Sequence, residues 1–323
     1  MSLPLDEGMK FGLQTLHRRS EPAEGPWLPD PGEARRLVEM VEGLGYDSMF
    51  VGDHVAFTIP ILDPLLQLAH AAAYATRLTF GTGVYLAPLR HPTPTAKMVA
   101  TLDHLTGGRL IFGVGVGGEF PGEFAACGVP VEERGARLTE IIPLLKKLWS
   151  GEPVANDGRF YPFPETRLLP ATRQEGGPPI WCGGRQPAAL KRAGELADGY
   201  ISYVITPEMY ADALSQIEAA AEAAGRELNG FGTGHLLFAR IDENFEAALE
   251  EATKTLSVRY NMDFRRAAQR YAALGSPADV AAKIGEFRDA GLRHCVVDLV
   301  GPFEERDIQI ERFAKEVMPL LKA

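Results

Sequence analysis

The chain has 323 residues, 46% hydrophobic and 24% charged, with a formal net charge of −10. That length suits two average domains or one large barrel, and the composition is that of a soluble globular protein with ample material for a core. The acidic balance argues against a general nucleic-acid surface or an anionic membrane, both of which need massed positive charge. The start MSLPLDEGMK lacks a basic stretch followed by an apolar run, no segment approaches the ~18 apolar residues of a membrane helix, and Cys127, Cys182 and Cys295 lie far apart without metal-ligand spacing. The expectation is a cytoplasmic protein with buried thiols, no metal, no membrane and no nucleic-acid partner.

In chain order, MKFGLQT over residues 9–15 reads as a first strand, followed by a long loop rich in Pro, Gly and charge. Asp30-Pro31-Gly32-Glu33 supplies an N-cap acid, a proline at the first helical position and an early glutamate, so a helix is expected to Leu44, ended by Gly45. Residues 48–51 form strand two and deliver Gly52-Asp53-His54 at its end. Asp63-Pro64 repeats the cap-and-proline start for a helix to about Ala75, and the same signature recurs at Thr206-Pro207 and Ser276-Pro277. Residues 78–84 read as strand three, 95–105 as a helix stopped by Gly107-Gly108, and 110–114 as strand four. The segment 132–149 spaces Leu138, Ile141, Ile142, Leu145 and Leu148 for one buried helix face.

Residues 151–177 read as an excursion with a small hairpin at Gly158-Arg159-Phe160-Tyr161. Strand five (180–182), a helix (186–196), strand six (199–203) and an Ala-rich helix (207–224) follow. Strand seven (231–241) leads to an acidic helix (244–256), an inserted helix (260–274) and another (277–290). Strand eight (293–299) and a closing helix (304–321) complete the pattern. Eight strands apolar on both faces, alternating with helices, predict an α/β fold, a (β/α)8 TIM barrel with short insertions and a parallel eight-stranded sheet. The rival is an open doubly wound sheet. In a barrel the chemistry sits at the C-terminal strand ends, which singles out Asp53, His54, Gly81, Gly83, Val84, the 113–119 run, Gly183, Gly184, Arg185 and Tyr203.

Gly113-Val114-Gly115-Val116-Gly117-Gly118 matches a dinucleotide fingerprint, but Pro121 and Gly122 are expected to interrupt the helix that fingerprint requires. Either these glycines merely line a loop, or, like Gly81 and Gly83, they leave room for a flat ring system near the backbone. Gly183-Gly184-Arg185 between a strand and a helix reads as a tight turn or as a phosphate cradle. His54 is either a packed residue or a proton-transfer group at the barrel mouth. His91 reads as a helix cap, and Glu133, Arg137 and Glu140 as ion pairs on a helix surface.

The stretches YDSMFVGDH, GTGVYLAPLRHPTPTAKMVATLDHLTGGRLIFGVGVGG, EFAACGVPVEERGARLTEIIPLLKKLW, PPIWCGG and ADGY, in this order over most of the chain, resemble the luciferase-like monooxygenase superfamily and its F420-dependent branch. The resemblance implies a single luciferase-like TIM-barrel domain over 1–323, with a flavin or deazaflavin over the C-terminal strand ends. It also implies a non-proline cis peptide at Gly83-Val84, the cofactor phosphate at Gly183 and Gly184, and Asp53 and His54 beside the reacting face. Together with the strand-end reading this makes Gly81, Gly83, Val84, Gly115, Gly117, Gly183, Gly184 and Arg185 the candidate cofactor-binding residues. Sugar-phosphate dehydrogenases of the superfamily place a glutamate where Gly118 stands here, with Glu119 one position on, and the family's aromatic after these glycines is absent, with Phe120 nearest. A sugar phosphate therefore fits the pattern poorly.

The implied function is F420-dependent hydride transfer to or from a small organic substrate, with His54 exchanging the proton and Asp53 orienting it. An FMN-dependent luciferase-like monooxygenase is the alternative, and a flavin-binding protein without turnover a second. Relatives often pair through barrel helices, which leaves a homodimer open.

Overall fold

The computed structural model describes residues 3, 8–14, 30–57 and 60–322. The elements run β1 (Lys10–Gln14), α1 (Pro31–Gly43), β2 (Ser48–Val51), α2 (Pro64–Ala72), β3 (Thr79–Thr82), α3 (Pro92–Leu105), β4 (Leu110–Val114), α4 (Pro121–Ala126) and α5 (Arg134–Trp149). Then come β5 (Pro153–Asn156), β6 (Phe163–Arg167), β7 (Ile180–Gly183), α6 (Pro187–Leu196), β8 (Gly199–Tyr203), α7 (Pro207–Ala223), β9 (Gly232–Ile241), α8 (Phe245–Tyr260) and α9 (Arg265–Tyr271). The chain ends with β10 (Ala273–Gly275), α10 (Pro277–Asp289), β11 (His294–Leu299), α11 (Arg306–Arg312), a π-helical turn (Phe313–Val317) and α12 (Met318–Lys322).

The strands β9-β11-β1-β2-β3-β4-β7-β8 are all parallel, and β8 pairs with β9 to close the ring. Closure removes the open-sheet alternative. The cap-and-proline starts act as expected: Asp30, Asp63, Thr206 and Ser276 each accept from helical N–H groups with proline at the first position. His91 caps α3 by accepting from the Thr93 N–H. The excursion is an antiparallel hairpin of β5 and β6.

Three expectations need correction. Pro121 does not block a helix; it starts the short α4, because proline is tolerated where no intrahelical donor is needed. The inserted helix expected to reach Leu274 stops at Tyr271, and β10 adds a ninth parallel strand on β9. Glu140 does not pair with Arg137, which binds Glu133 at 2.7 Å; Glu140 instead accepts the Phe160 and Tyr161 N–H groups and pins the hairpin loop. Cys182 and Cys295 are buried thiols, whereas Cys127 is half-buried. The loop expected at residues 15–29 lies outside the described residues. No helix among the described residues is long and apolar enough to cross a membrane, and no cluster of metal-ligating side chains occurs among them.

Inside the barrel, Trp181 lies across three glycines. A Cβ on Gly199, Gly232 or Gly234 would sit 2.3–2.6 Å from its indole ring, so only glycine lets a tryptophan occupy this narrow interior. His294 shares this space, bonded to the Ser48 hydroxyl at 2.6 Å, whereas His235 lies on the outer face of β9, stacked on Phe287 of α10 and bonded to the Ser202 hydroxyl at 2.7 Å. Burial lowers both pKa values to about 3, with Lys10 adding to the effect at His294. The native state thus holds both rings neutral, and protonation favours the unfolded chain. Their contribution is intact above the unfolded pKa of ~6.5 and is lost as pH falls toward 3, at about 1.4 kcal/mol per pH unit for each ring. Unfolding free energy measured by urea titration should therefore drop by roughly 2 to 3 kcal/mol from pH 6 to pH 5, above the range where carboxylates titrate. Equal stability at the two pH values would contradict this account.

Candidate active site

A cavity of about 270 Å³ opens at the C-terminal ends of the barrel strands. Strand order places β2 across the ring from β8, β3 across from β9, β4 across from β11, and β1 across from β7. Asp53, His54, Gly83, Val84, Gly115, Gly117, Gly183, Gly184 and Arg185 all line this cavity. Gly81 does not: a Cβ there would meet the Phe50 ring at 2.3 Å, so the glycine makes room for packing beneath the cavity.

Asp53 is buried at the end of β2, where its two oxygens receive the Arg90 guanidinium at 2.5 and 2.9 Å and the Leu86 N–H at 2.8 Å. Burial holds the Asp53 carboxyl above its ordinary value, and the Arg90 hydrogen bond and charge and the Leu86 N–H offset only part of that rise. The two-point geometry is that of carboxylate and guanidinium. Arg90 also stacks on Tyr85, with its carbon 4.3 Å from the ring centroid. Asp53 therefore ties the end of β2 to the segment after β3 and does not orient His54, as the sequence had suggested.

The partner of His54 is Glu123 on α4. Its carboxylate oxygens lie 3.2 and 3.3 Å from Nδ1, and one of them accepts the Val55 N–H at 3.2 Å. Glu123 is 1% exposed, although it sits in the first turn of a six-residue helix where a glutamate reads as a solvated N-terminal charge. Sequence reasoning missed it because the α4 start was itself missed. The imidazole also stacks on Phe57 with centroids 3.9 Å apart and meets Phe120 edge-on at 5.5 Å. A carboxylate against Nδ1 favours the tautomer with its proton there. That leaves Nε2 as the nitrogen able to exchange a proton with the cavity.

The glycines act differently from the flat-ring expectation. A Cβ on Gly115 would lie 2.3 Å from Val84 Cγ2, and one on Gly183 would lie 2.8 Å from Val84 Cγ1. They leave room for the Val84 side chain, which becomes the platform, and the Gly83-Val84 peptide is cis. Gly117 likewise admits Leu86, whose Cδ2 would be 3.1 Å from an added Cβ. Gly184 has φ of +127°, and it leads through Arg185 into α6, whose N-terminus carries no side-chain cap. The Arg185 guanidinium donates to the Val204 carbonyl at 3.0 Å. Gln14 at the end of β1 lines the cavity floor; its Oε1 is buried and finds no donor among the described residues. Tyr203, noted from its strand end, donates to Glu119 at 3.2 Å at the rim.

A flavin or deazaflavin fits these groups. The ring N–H of its pyrimidine edge is the donor that Gln14 Oε1 lacks, Val84 offers an apolar face, and the open α6 N-terminus with Arg185 suits its phosphate.

The luciferase-like monooxygenase model matches residues 9–294, and the chain belongs to that family. It is 28% identical to the F420-dependent glucose-6-phosphate dehydrogenase of Nakamurella multipartita, over 91% of this chain and 93% of that one. It is 26% identical to the 5,10-methylenetetrahydromethanopterin reductase of Methanopyrus kandleri, over 91% and 97%. Among solved structures, monooxygenase RslO1 from Streptomyces bottropensis superposes with a TM-score of 0.81 at 28% identity, covering 96% of this chain and 99% of that one.

The Asp53–Arg90 pair makes a direct prediction. Arg90→Met leaves a buried carboxylate without its cation and should lower the urea-unfolding free energy at pH 7 by about 3 kcal/mol. A loss below ~0.5 kcal/mol would remove the pair from any part in holding the site.

Proposed function

We propose that this chain is an F420-dependent oxidoreductase acting on a small organic molecule, with 1–323 working as one barrel domain. The observation that carries this reading is His54, held through Nδ1 by a buried carboxylate at the mouth of a family barrel whose floor presents an unsatisfied acceptor. Bound F420 would supply two-electron hydride chemistry, which is paired with a proton at the substrate.

The chain's own part is to bind, orient and move that proton. Gln14, Gly83 and Val84 would hold the ring, with Gly115 and Gly183 keeping Val84 seated. Gly184, Arg185 and the α6 N-terminus would hold the phosphate. His54 would give or take the proton at Nε2, and Glu123 would fix the imidazole and balance the charge it gains. Asp53 supports the site from behind through Arg90. Phe57 and Phe120 pack around the imidazole and exclude water from the Nδ1 contact.

An FMN-dependent monooxygenase is the second reading, favoured by the 28% identity to RslO1 along nearly the whole chain. A flavin-binding protein without turnover leaves the buried Glu123 carboxylate against His54 without a purpose, since removing both charges would relieve a desolvation cost.

Separate titrations of the purified protein with F420 and FMN test the cofactor. Saturable F420 binding is expected, and tight FMN binding with no response to F420 would overturn the leading reading. His54→Ala should keep F420 affinity while turnover falls ~10²- to 10⁴-fold, and Glu123→Gln should keep affinity with a smaller fall. Full turnover by His54→Ala would remove its catalytic role.

A further inference from the structure

The glycine-lined side of the cavity belongs to β3, β4 and β7; the side facing it has a different chemistry. Across the ring from Gly83 stand Leu236 and Phe238 on β9, with Tyr203 at the end of β8 and Tyr260 at the end of α8. Phe57, stacked on the His54 imidazole, and Ile61 also line the cavity, from the segment after β2. The aromatic rings pack on one another: Tyr203 meets Phe238 edge-on at 6.2 Å, Phe238 meets Tyr260 at 6.3 Å, and Tyr260 stacks on Phe264 at 5.0 Å. A wall braced in this way keeps its shape and presents ring faces and edges to whatever lies between it and Val84.

Charge on this wall is already matched. Arg259 and Asp298, 2% and 4% exposed, are joined at 2.8 Å, and the guanidinium carbon is 5.8 Å from the Phe238 centroid. Arg185, which also lines the cavity, donates to the Val204 carbonyl just past Tyr203 and belongs with Gly184 and the α6 N-terminus to the phosphate end proposed for the cofactor. Glu119 at the rim is an acid bound by the Tyr203 hydroxyl. Burial, then Tyr260 and Glu119, raise the Tyr203 pKa, so the phenol stays neutral. A dianionic phosphate entering here would face Glu119 and compete with Asp298 for a guanidinium it already holds, in a poorly solvated site where such competition is costly. His54, across the mouth from Tyr203, is the group placed to meet a single polar atom on the ligand.

We infer that the substrate side of this cavity takes an uncharged, apolar ring compound carrying one oxygen, a ring ketone or the matching secondary alcohol, and excludes phosphorylated sugars. This inference rests on the F420 reading only for the form of protein tested. The specificity residues are Phe238, Tyr203, Tyr260 and Leu236, with the Arg259–Asp298 pair and Glu119 as the barrier to anions.

The test is calorimetric titration of the F420-loaded protein with 1-indanone and, separately, with glucose 6-phosphate. The expected result is a Kd for 1-indanone at least tenfold below that for glucose 6-phosphate, with a negative heat-capacity change. Phe238→Ala should weaken 1-indanone about tenfold and leave F420 affinity unchanged; the wild-type comparison decides the matter even where that variant does not fold. Absence of 1-indanone binding, or equal or tighter binding of glucose 6-phosphate, overturns the inference. Failure of F420 to bind overturns the cofactor reading instead, and the same pair of titrations on FMN-loaded or cofactor-free protein then decides this one.

Discussion

The buried pair of Asp53 and Arg90 is the constraint on which the barrel mouth depends. It joins the end of β2 to the segment after β3, and the Leu86 N–H adds a third bond to the same carboxylate. Two adjacent strand ends are thereby held in one register above the sheet, where β-ladder hydrogen bonds no longer act. His54 follows Asp53 by one residue, and Val84 precedes Leu86 by two. Fixing Asp53 against Leu86 therefore fixes the proton-exchanging imidazole relative to the Val84 platform. A carboxylate in that position costs desolvation, and only a two-point guanidinium partner with further hydrogen bonding offsets it.

Around that anchor, missing side chains decide what can approach what. Gly115 and Gly183 let Val84 settle between β4 and β7, and Gly199, Gly232 and Gly234 let Trp181 fill the interior below. Both arrangements are packing solutions: a large or branched side chain on one strand is accommodated by glycine on its neighbours. The cavity begins where this packing ends. Its two sides differ because β3, β4 and β7 contribute glycines and backbone, whereas β8 and β9 contribute Tyr203, Leu236 and Phe238.

Much of this was legible from local pattern. The strand at Ser48–Val51 and that at Leu110–Val114 begin and end where apolar periodicity places them, and the Asp-Pro, Thr-Pro and Ser-Pro starts cap α1, α2, α7 and α10. The motifs also marked the strand ends that meet at the mouth. Glu123 was not legible, because Pro121 and Gly122 read as interrupting a helix rather than starting α4, and nothing in the neighbouring sequence reports that His54 covers it. Gly81 was misplaced for a related reason. Alternation along a strand distinguishes faces, but it does not say which glycine stands above Phe50 and which beside the cavity.

The sequence by itself determined the succession of strands and helices, their caps, the resemblance to a family and the cluster of residues at strand ends. These follow from interactions between residues a few positions apart, which periodicity and capping chemistry express directly. Only the tertiary structure decided which charge meets which: Asp53 with Arg90 and Glu123 with His54, where the sequence suggested Asp53 with His54. It also decided that Arg259 is matched by Asp298, 39 residues away. Such pairings depend on where a closed ring brings distant strand ends together, and the cost of burying an unmatched charge selects the partner that is in reach.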